Sequence, residues 1–331
     1  MADSTAAKIE GKRATLADVA QVAKVSRMTV SRVVRGEPTV KVATRQKVLA
    51  LIEELGYHPD PLLSALSAYR TVGGGKGDGS TLVFLDCDGT EYSRGVFEGA
   101  QAEARFYGYR IELQRMPKTQ KAQSQLQRVL YHRGVRGLLL GPSDHESDFS
   151  GWAWDRFAAV SLGALVHKPA MHAVAMDYFQ GAFAACRILR GRGCGRIGFA
   201  VGGAYESRTG HRWMGGYLAG IEGQSKLCYQ TDPDSRDDFE KWCRSKKVDG
   251  LLTIHEELLE AWPFARENFL LLNDYAIQFK PELRSLTHLS LNRAAIGAEG
   301  MRVLHHHLLR QSYGIPESPK LSQLQGQWRH V

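Results

Sequence analysis

From residue 81 onward, short apolar runs alternate with amphipathic stretches, and this alternation constrains the chain more than any other feature. TLVFLD (81–86), YRIELQ (109–114), RGLLLG (136–141) and AAVSL (158–162) read as buried strands with helical segments between several of them. A second series follows: HAVAM (172–176), RIGFAV (196–201), a short LCY (227–229), DGLLTI (249–254) and FLLL (269–272). Continuous apolar strands separated by helices indicate parallel sheets covered on both faces. Two such series predict two doubly wound lobes, with a ligand cleft at the carboxyl ends of their strands.

The first 60 residues follow a different rule. Leu16, Val19, Ala20 and Ala23 keep the i, i+3, i+4, i+7 spacing of one buried helix face, opened by Thr15 with Asp18 three residues on. Ser26 can cap a second helix whose apolar face is Val30, Val33 and Val34. A third carries Val48, Leu51, Ile52 and Leu55 and stops at Gly56. The gap of about three residues between the first two helices forces the sharp crossing of a helix-turn-helix, whose second helix enters the DNA major groove.

Charge agrees with that expectation. The chain of 331 residues has a net charge of +8. Residues 14–50 hold seven Lys/Arg against Asp18 and Glu37, so +5 of it lies in this short stretch, the footprint of a polyanion-binding surface. Arg27, Met28 and, a turn later, Arg32 are placed to read base edges: arginine matches guanine O6 and N7, and methionine can pack on a thymine methyl. Thr15, Ser26, Thr29, Ser31, Thr44 and Arg45 are the candidates for phosphate oxygens, which position the protein without carrying sequence information.

Asp60 and Pro61 can start a further short helix, Leu62 to about Tyr69. Five glycines within residues 71–80 then form a linker and the clearest boundary in the chain. The expected organisation is a headpiece (14–60), a hinge helix (61–70), the linker (71–80) and a two-lobed domain (81–331). Lobe 1 is expected at about 81–175 and 291–312, and lobe 2 at about 176–290 and 313–331.

Residues 14–60 closely resemble the DNA-binding headpiece of the lactose-repressor/galactose-repressor (LacI/GalR) family. The matching residues are dense: Thr15, Asp18, Val19, Ala20, Ala23, Val25, Ser26, Thr29, Val30, Ser31, Arg32, Val33, Val40, Thr44, Arg45, Val48, Leu55, Gly56, Tyr57 and Pro59. A weaker resemblance continues to the C-terminus. It implies a helix-turn-helix headpiece on a periplasmic-binding-protein-like α/β effector domain that binds a near-palindromic operator as a homodimer. The implied effector is a small molecule, a sugar or derivative by family default, and the implied outcome is repression. Leu66 aligns with the family's lever leucine, which wedges into the minor groove; unstacking costs a few kcal/mol and is offset by contacts to bent DNA. Tyr92, Asp177, Arg212 of the R-x-x-G pattern and Asp274 fall at family effector positions, and Arg208 beside Arg212 is a further ligand candidate. The chain departs from the pattern at Asp60, Pro61 and Leu63-Ser64-Ala65 in the hinge, and at Gly216, where an aromatic is usual.

Other constellations compete with this reading. LVFLDCDGT (82–90) resembles the first motif of haloacid-dehalogenase-like phosphatases, with Asp86 as nucleophile and Asp88 as acid/base around Mg²⁺. No later G-D-x-x-x-D-like run completes that site, so no enzymatic activity and no cofactor are expected. A sequence-neutral DNA binder is the remaining alternative. Trp152, Trp154, Trp213 and Trp262 could stack on a sugar or simply fill the core. His305-His306-His307 cannot share one metal on a helix, since consecutive positions face different ways. Five cysteines without C-x-x-C spacing, the lack of an apolar h-region in MADSTAAKIEGKRAT and the lack of a long apolar run lead to the expectation of a cytoplasmic protein with no membrane partner.

Overall fold

The computed structural model describes residues 15–34, 40–55, 57, 81–143, 148–163, 168–223, 225–229 and 236–329. The expected hinge helix with Leu66, the linker 71–80, and Gly56, Asp60 and Pro61 lie outside these residues. The chain divides into two compact units, Met1–Gly74 and Gly75–Val331.

The first unit contains α1 (Leu16–Ala23), α2 (Arg27–Val34) and α3 (Val42–Glu54). The Thr15 and Asp18 pair forms a full capping box, with the Asp18 N–H donating to the Thr15 hydroxyl and the Thr15 N–H donating to the Asp18 carboxylate. The chain reverses at Lys24, which takes the left-handed conformation (φ 55°) that closes α1 and lets α2 cross it. Val19, Ala20, Ala23, Val30, Val33, Val48 and Tyr57 form a single buried cluster. Val19, Val30 and Val48 are fully buried, and each contributes roughly 1.5–3 kcal/mol of transfer free energy. Val34, expected on the buried face of α2, is instead 37% exposed: the three-helix core closes over Val30 and Val33 and leaves the last residue of the helix outside.

The second unit contains two sheets. The first has the order β10-β5-β4-β3-β1-β2, all parallel, from β1 (Thr81–Asp86), β2 (Arg110–Arg115), β3 (Gly137–Leu140), β4 (Ala158–Leu162), β5 (His172–Met176) and β10 (Leu321–Leu324). The second has the order β11-β9-β8-β7-β6, from β6 (Ile197–Ala200), β7 (Gly250–Thr253), β8 (Phe269–Leu271), β9 (His288–Ser290) and β11 (Gln327–Arg329). Only its edge pair β11–β9 is antiparallel. Around the first sheet lie α4 (Glu91–Phe106), α5 (Gln120–His132) and α10 (Arg293–Leu309); around the second lie α6 (Tyr178–Gly191), α7 (Gly203–Arg208), α8 (Arg212–Gly220) and α9 (Arg236–Lys246). Every residue of β3, β4, β6 and β7 is buried, as apolar runs covered on both faces require.

HAVAM heads the second series of apolar runs but falls within the expected lobe 1, to about residue 175; it is hydrogen-bonded to β4 in the first sheet. Two other expectations are corrected. LCY contributes only an isolated bridge between Phe199 and Cys228. Residues 313–331 do not belong wholly to lobe 2: β10 joins the first sheet and β11 the second, so the chain crosses between lobes once more near its end. These strands escape a sequence reading because LSQL and QWR are short and polar, as edge strands are.

Gly216 explains the departure at the R-x-x-G segment. A Cβ there would stand 2.1 Å from the Phe179 carbonyl oxygen, so α6 and α8 can touch only at a glycine. The aromatic one position later, Tyr217, is fully buried instead; its hydroxyl donates to the Ile197 carbonyl (2.9 Å) and accepts from the Leu227 N–H (2.9 Å).

Candidate DNA-reading face and interlobe cleft

On α2, Arg27 and Ser31 stand four residues apart, as do Met28 and Arg32, so they make two adjacent stripes on one side of the helix. Val30 and Val33 occupy the other side and are buried. Arg27, Met28 and Arg32 are exposed, Met28 by 58%. A solvent-facing methionine between two arginines is a poor surface for a free protein and a suitable one for base edges. The polar candidates have structural work as well. The Thr15 hydroxyl donates to Asp18 (2.6 Å), and the Ser26 hydroxyl accepts from the Thr29 N–H (3.1 Å) and lies 2.9 Å from the Thr29 hydroxyl. Thr44 and Arg45 lie half-buried in the first turn of α3.

The second constellation lies at the carboxyl ends of the strands of both sheets. From the first lobe come Tyr92 in the opening turn of α4 and Ser143 after β3; Asp177 and Tyr178 stand where β5 passes into α6 of the second lobe. From the second come Arg208 at the end of α7, Arg212 at the start of α8, and Asp274 after β8. Arg208 donates to the Ser143 carbonyl across the lobes (3.2 Å) and lies over the Tyr205 ring at 4.4 Å. Asp274 accepts from the Ser290 hydroxyl (3.1 Å) and faces the Arg293 guanidinium at 4.0 Å. The Tyr92 hydroxyl is buried; the Tyr178 hydroxyl faces it without completing a well-aligned hydrogen bond. Burial, then the neighbouring Tyr178, pushes the Tyr92 hydroxyl well above the ordinary tyrosine range, and burial raises Tyr178 too. The charges of Arg208 and Arg212 bear on Tyr178, and those of Arg293 and Asp274 on Tyr92, so these six side chains share one neighbourhood. Asp177 stands at its edge, where its carboxylate accepts from the Gln180 N–H (3.0 Å) and caps α6.

Tyr178 and Arg293 are not legible as site residues in sequence patterns. Arg293 carries a signal nonetheless: it is the first residue of α10, where the helix dipole disfavours a cation, and such a placement needs a nearby carboxylate. Asp274 supplies it.

The D-x-D-G-T segment folds as an arginine-clasped turn. Asp86 accepts from the Arg115 guanidinium (2.8 Å), the Ser93 hydroxyl (2.8 Å) and the Gly89 N–H (3.0 Å), while Arg115 also donates to the Asp88 carbonyl (3.0 Å). Gly89 has φ +70°, and a Cβ there would overlap the Arg115 guanidinium. Asp88 binds the Thr90 N–H and hydroxyl, and Thr90 caps α4. The oxygens that the phosphatase reading assigns to nucleophile and acid/base thus hold a turn together. Among the described residues no group of three or more His, Cys, Asp and Glu is arranged to hold a metal ion, and no helix is long and apolar enough to cross a membrane.

The four tryptophans are buried. Trp152 and Trp154 stack on each other in the lobe 1 core, Trp262 lies in the lobe 2 core, and Trp213 packs on Tyr178 with centroids 4.8 Å apart. The three histidines face three ways, as helix geometry requires. His305 stacks on Tyr107 (3.9 Å) and His307 on His172 (4.5 Å), while His306 lies by Arg310. His305 and His307 pack against their own chain, while His306 is exposed. Burial, then the charge of His172, pushes His307 down to about 4, with His306, Arg310 and Lys320 adding to the effect. Its neutral form is therefore favoured by folding. Stability from this group is complete above the ordinary histidine value of about 6.5 and is lost as pH falls from there toward 4. Thermal melts at pH 7 and pH 5 should show a larger drop for the wild type than for His307→Phe; equal drops would remove this contribution.

Residues 15–60 match the family model described as bacterial regulatory proteins, lacI family. Catabolite control protein A of Priestia megaterium is 31% identical over 201 residues, covering 60% of this chain and 57% of that protein. The HTH-type transcriptional regulator PtxS of Pseudomonas plecoglossicida is 32% identical over 138 residues, covering 41% and 38%. The chain spans no more than about three fifths of the length of these curated relatives. Among solved structures, the transcriptional regulator CelR–cellobiose complex superposes with a TM-score of 0.58 at 21% identity, covering 96% of this chain and 98% of that one. The lac repressor dimer bound to operator and the anti-inducer ONPF gives 0.55 at 17%, with the same coverage. At these identities the likeness is one of fold. Residues 15–60 thus carry the headpiece of the lacI family of bacterial regulatory proteins, and the two-lobed α/β domain that follows shares the fold of these solved regulators.

Proposed function

We propose that this protein is a non-enzymatic, sequence-specific DNA-binding transcriptional regulator, a repressor in the family manner. In this reading it binds a near-palindromic operator as a cytoplasmic homodimer, and a small molecule in the interlobe cleft controls it. The observation that carries the reading is the outward stripe of Arg27, Met28, Ser31 and Arg32 on a helix whose opposite side is sealed into a lacI-type headpiece. One short helix-turn-helix reads only a few base pairs, so two copies related by a two-fold axis are needed for a specific site. Leu66, in the segment outside the described residues, is the proposed minor-groove wedge. Tyr92, Asp177, Arg208, Arg212 and Asp274 are the proposed effector contacts. A sugar or sugar derivative as effector is supported by the cellobiose complex of CelR and by a D-xylulofuranose complex of another structural neighbour.

Selection of bound duplexes from a random pool, at physiological salt and with a panel of candidate metabolites, tests the reading. The expected result is a near-palindromic motif whose enrichment changes with one metabolite. Equal affinity for random and selected duplexes would instead establish a sequence-neutral binder. Within the selected operator, Arg27→Ala is expected to cost about 1–3 kcal/mol at one base position and to relax preference there, while Thr29→Ala weakens all sequences alike. Competition binding against single-base operator variants measures both.

A further inference from the structure

The cleft holds more positive than negative charge free for a ligand. Arg293 is matched by Asp274 and Arg115 by Asp86. Arg208 and Arg212 pair with no carboxylate among the described residues: Arg208 reaches only a backbone carbonyl and an aromatic face. Asp177 is committed to capping α6. The nearest glutamate along the chain, Glu206, is buried and turned toward the Met214 N–H and His211; burial raises it toward its neutral form. A half-buried guanidinium lying over the Tyr205 ring loses hydration that a carbonyl dipole only partly replaces. The same neighbourhood holds the buried Tyr92 hydroxyl, which Tyr178 faces without completing a well-aligned hydrogen bond.

Resting on the reading of this cleft as the effector site, we propose that its ligand is an anion, a small phosphorylated or carboxylated molecule. Its charged group is gripped by Arg208 and Arg212 of lobe 2 against the hydroxyls of Tyr92 in lobe 1 and Tyr178 at the start of α6. Planar guanidinium forks match two oxygens of a phosphate or carboxylate at once, which a neutral hydroxyl cannot use fully. Tyrosine hydroxyls kept protonated by burial are donors to such a group. The Arg208 bond to the Ser143 carbonyl is then what the anion replaces, and the exchange couples ligand binding to the contact between lobes.

Inorganic phosphate, titrated into the full-length protein and followed by calorimetry and by the fluorescence of Trp213 beside Tyr178, tests the proposal. Saturable binding is expected, weakened roughly ten-fold or more in Arg208→Met and in Arg212→Met and partly kept in Arg208→Lys, which preserves the charge. No saturable binding, or binding unchanged in both methionine variants, overturns the proposal. A hexose monophosphate and an aldonate, each against its neutral hexose, separate phosphate from carboxylate; a neutral hexose that binds as well as both overturns it. Operator affinity measured alongside keeps the two readings apart. Specific DNA binding without anion binding removes this inference alone, and anion binding without any preferred DNA removes the regulator and leaves the anion site.

Discussion

Changing Asp274 to asparagine is expected to abolish the response to effector while leaving operator affinity without effector unchanged. In the wild type, effector should shift operator affinity by about 5–150-fold, the usual range of coupling between sites. The amide side chain keeps the size of the carboxylate and an oxygen for the Ser290 hydroxyl, which lies 3.1 Å from Asp274, but loses the charge that faces Arg293 at 4.0 Å. The substitution thus removes the charge that fixes Arg293 beside Tyr92 and preserves the local packing. Asp274→Ala is a harsher test. It leaves Arg293, 8% exposed, without its carboxylate. Removing one partner of a buried pair in close contact costs about 3–5 kcal/mol, and at 4.0 Å the cost falls below that range. Both variants should therefore lower Tm as well as the response, asparagine by less than alanine because it keeps the Ser290 contact and the local packing. Operator titrations with and without effector, paired with thermal melts, check both; a full effector response in the asparagine variant would remove Asp274 from the site.

The parts of this molecule that are legible from sequence are those where local chemistry and tertiary role agree. Thr15 and Asp18 read as a capping box because the motif is complete within four residues, and the structure closes both of its hydrogen bonds. TLVFLD, AAVSL and HAVAM read as strands with their limits intact because each is an apolar run covered on both faces. Which sheet a strand joins is another matter. HAVAM and LSQL are partners, Ala173 opposite Leu321, across almost half the chain, and nothing within either segment encodes the other. The cleft shows the same limit. Arg212 and Asp274 are candidates through the family resemblance of their positions, whereas Tyr178 and Arg293 join the proposed site only because β5 ends, and α10 begins, beside the cleft.

Glycines 99 and 297 lead to the largest expected loss of stability. A Cβ on Gly297 would stand 1.8 Å from the Val96 carbonyl oxygen, and one on Gly99 would stand 1.9 Å from that of Ala294. The backbones of α4 and α10 therefore touch, and the obstacle in each case is main chain that no rotamer change can move. Gly297→Val must push the helices apart, opening the layer that buries Val96, Ala100, Ile296 and Met301. Overpacking alone costs about 1–3 kcal/mol, and separation of the two helices adds lost burial at about 25 cal/mol per Å². A total of about 3 kcal/mol or more corresponds to a drop in Tm of roughly 6–12 °C for a unit of this size. Gly191→Ala provides the contrast. It lies in the last turn of α6 with open space where its Cβ would be, and relief of glycine's unfolded-state entropy should leave Tm unchanged or slightly raised. Because α10 also carries Arg293 at its first position, a displaced α10 moves that guanidinium away from Asp274. Effector response in Gly297→Val should then fall even at temperatures where the protein remains folded, and a destabilised variant with full response would show that the helix crossing and the cleft are independent.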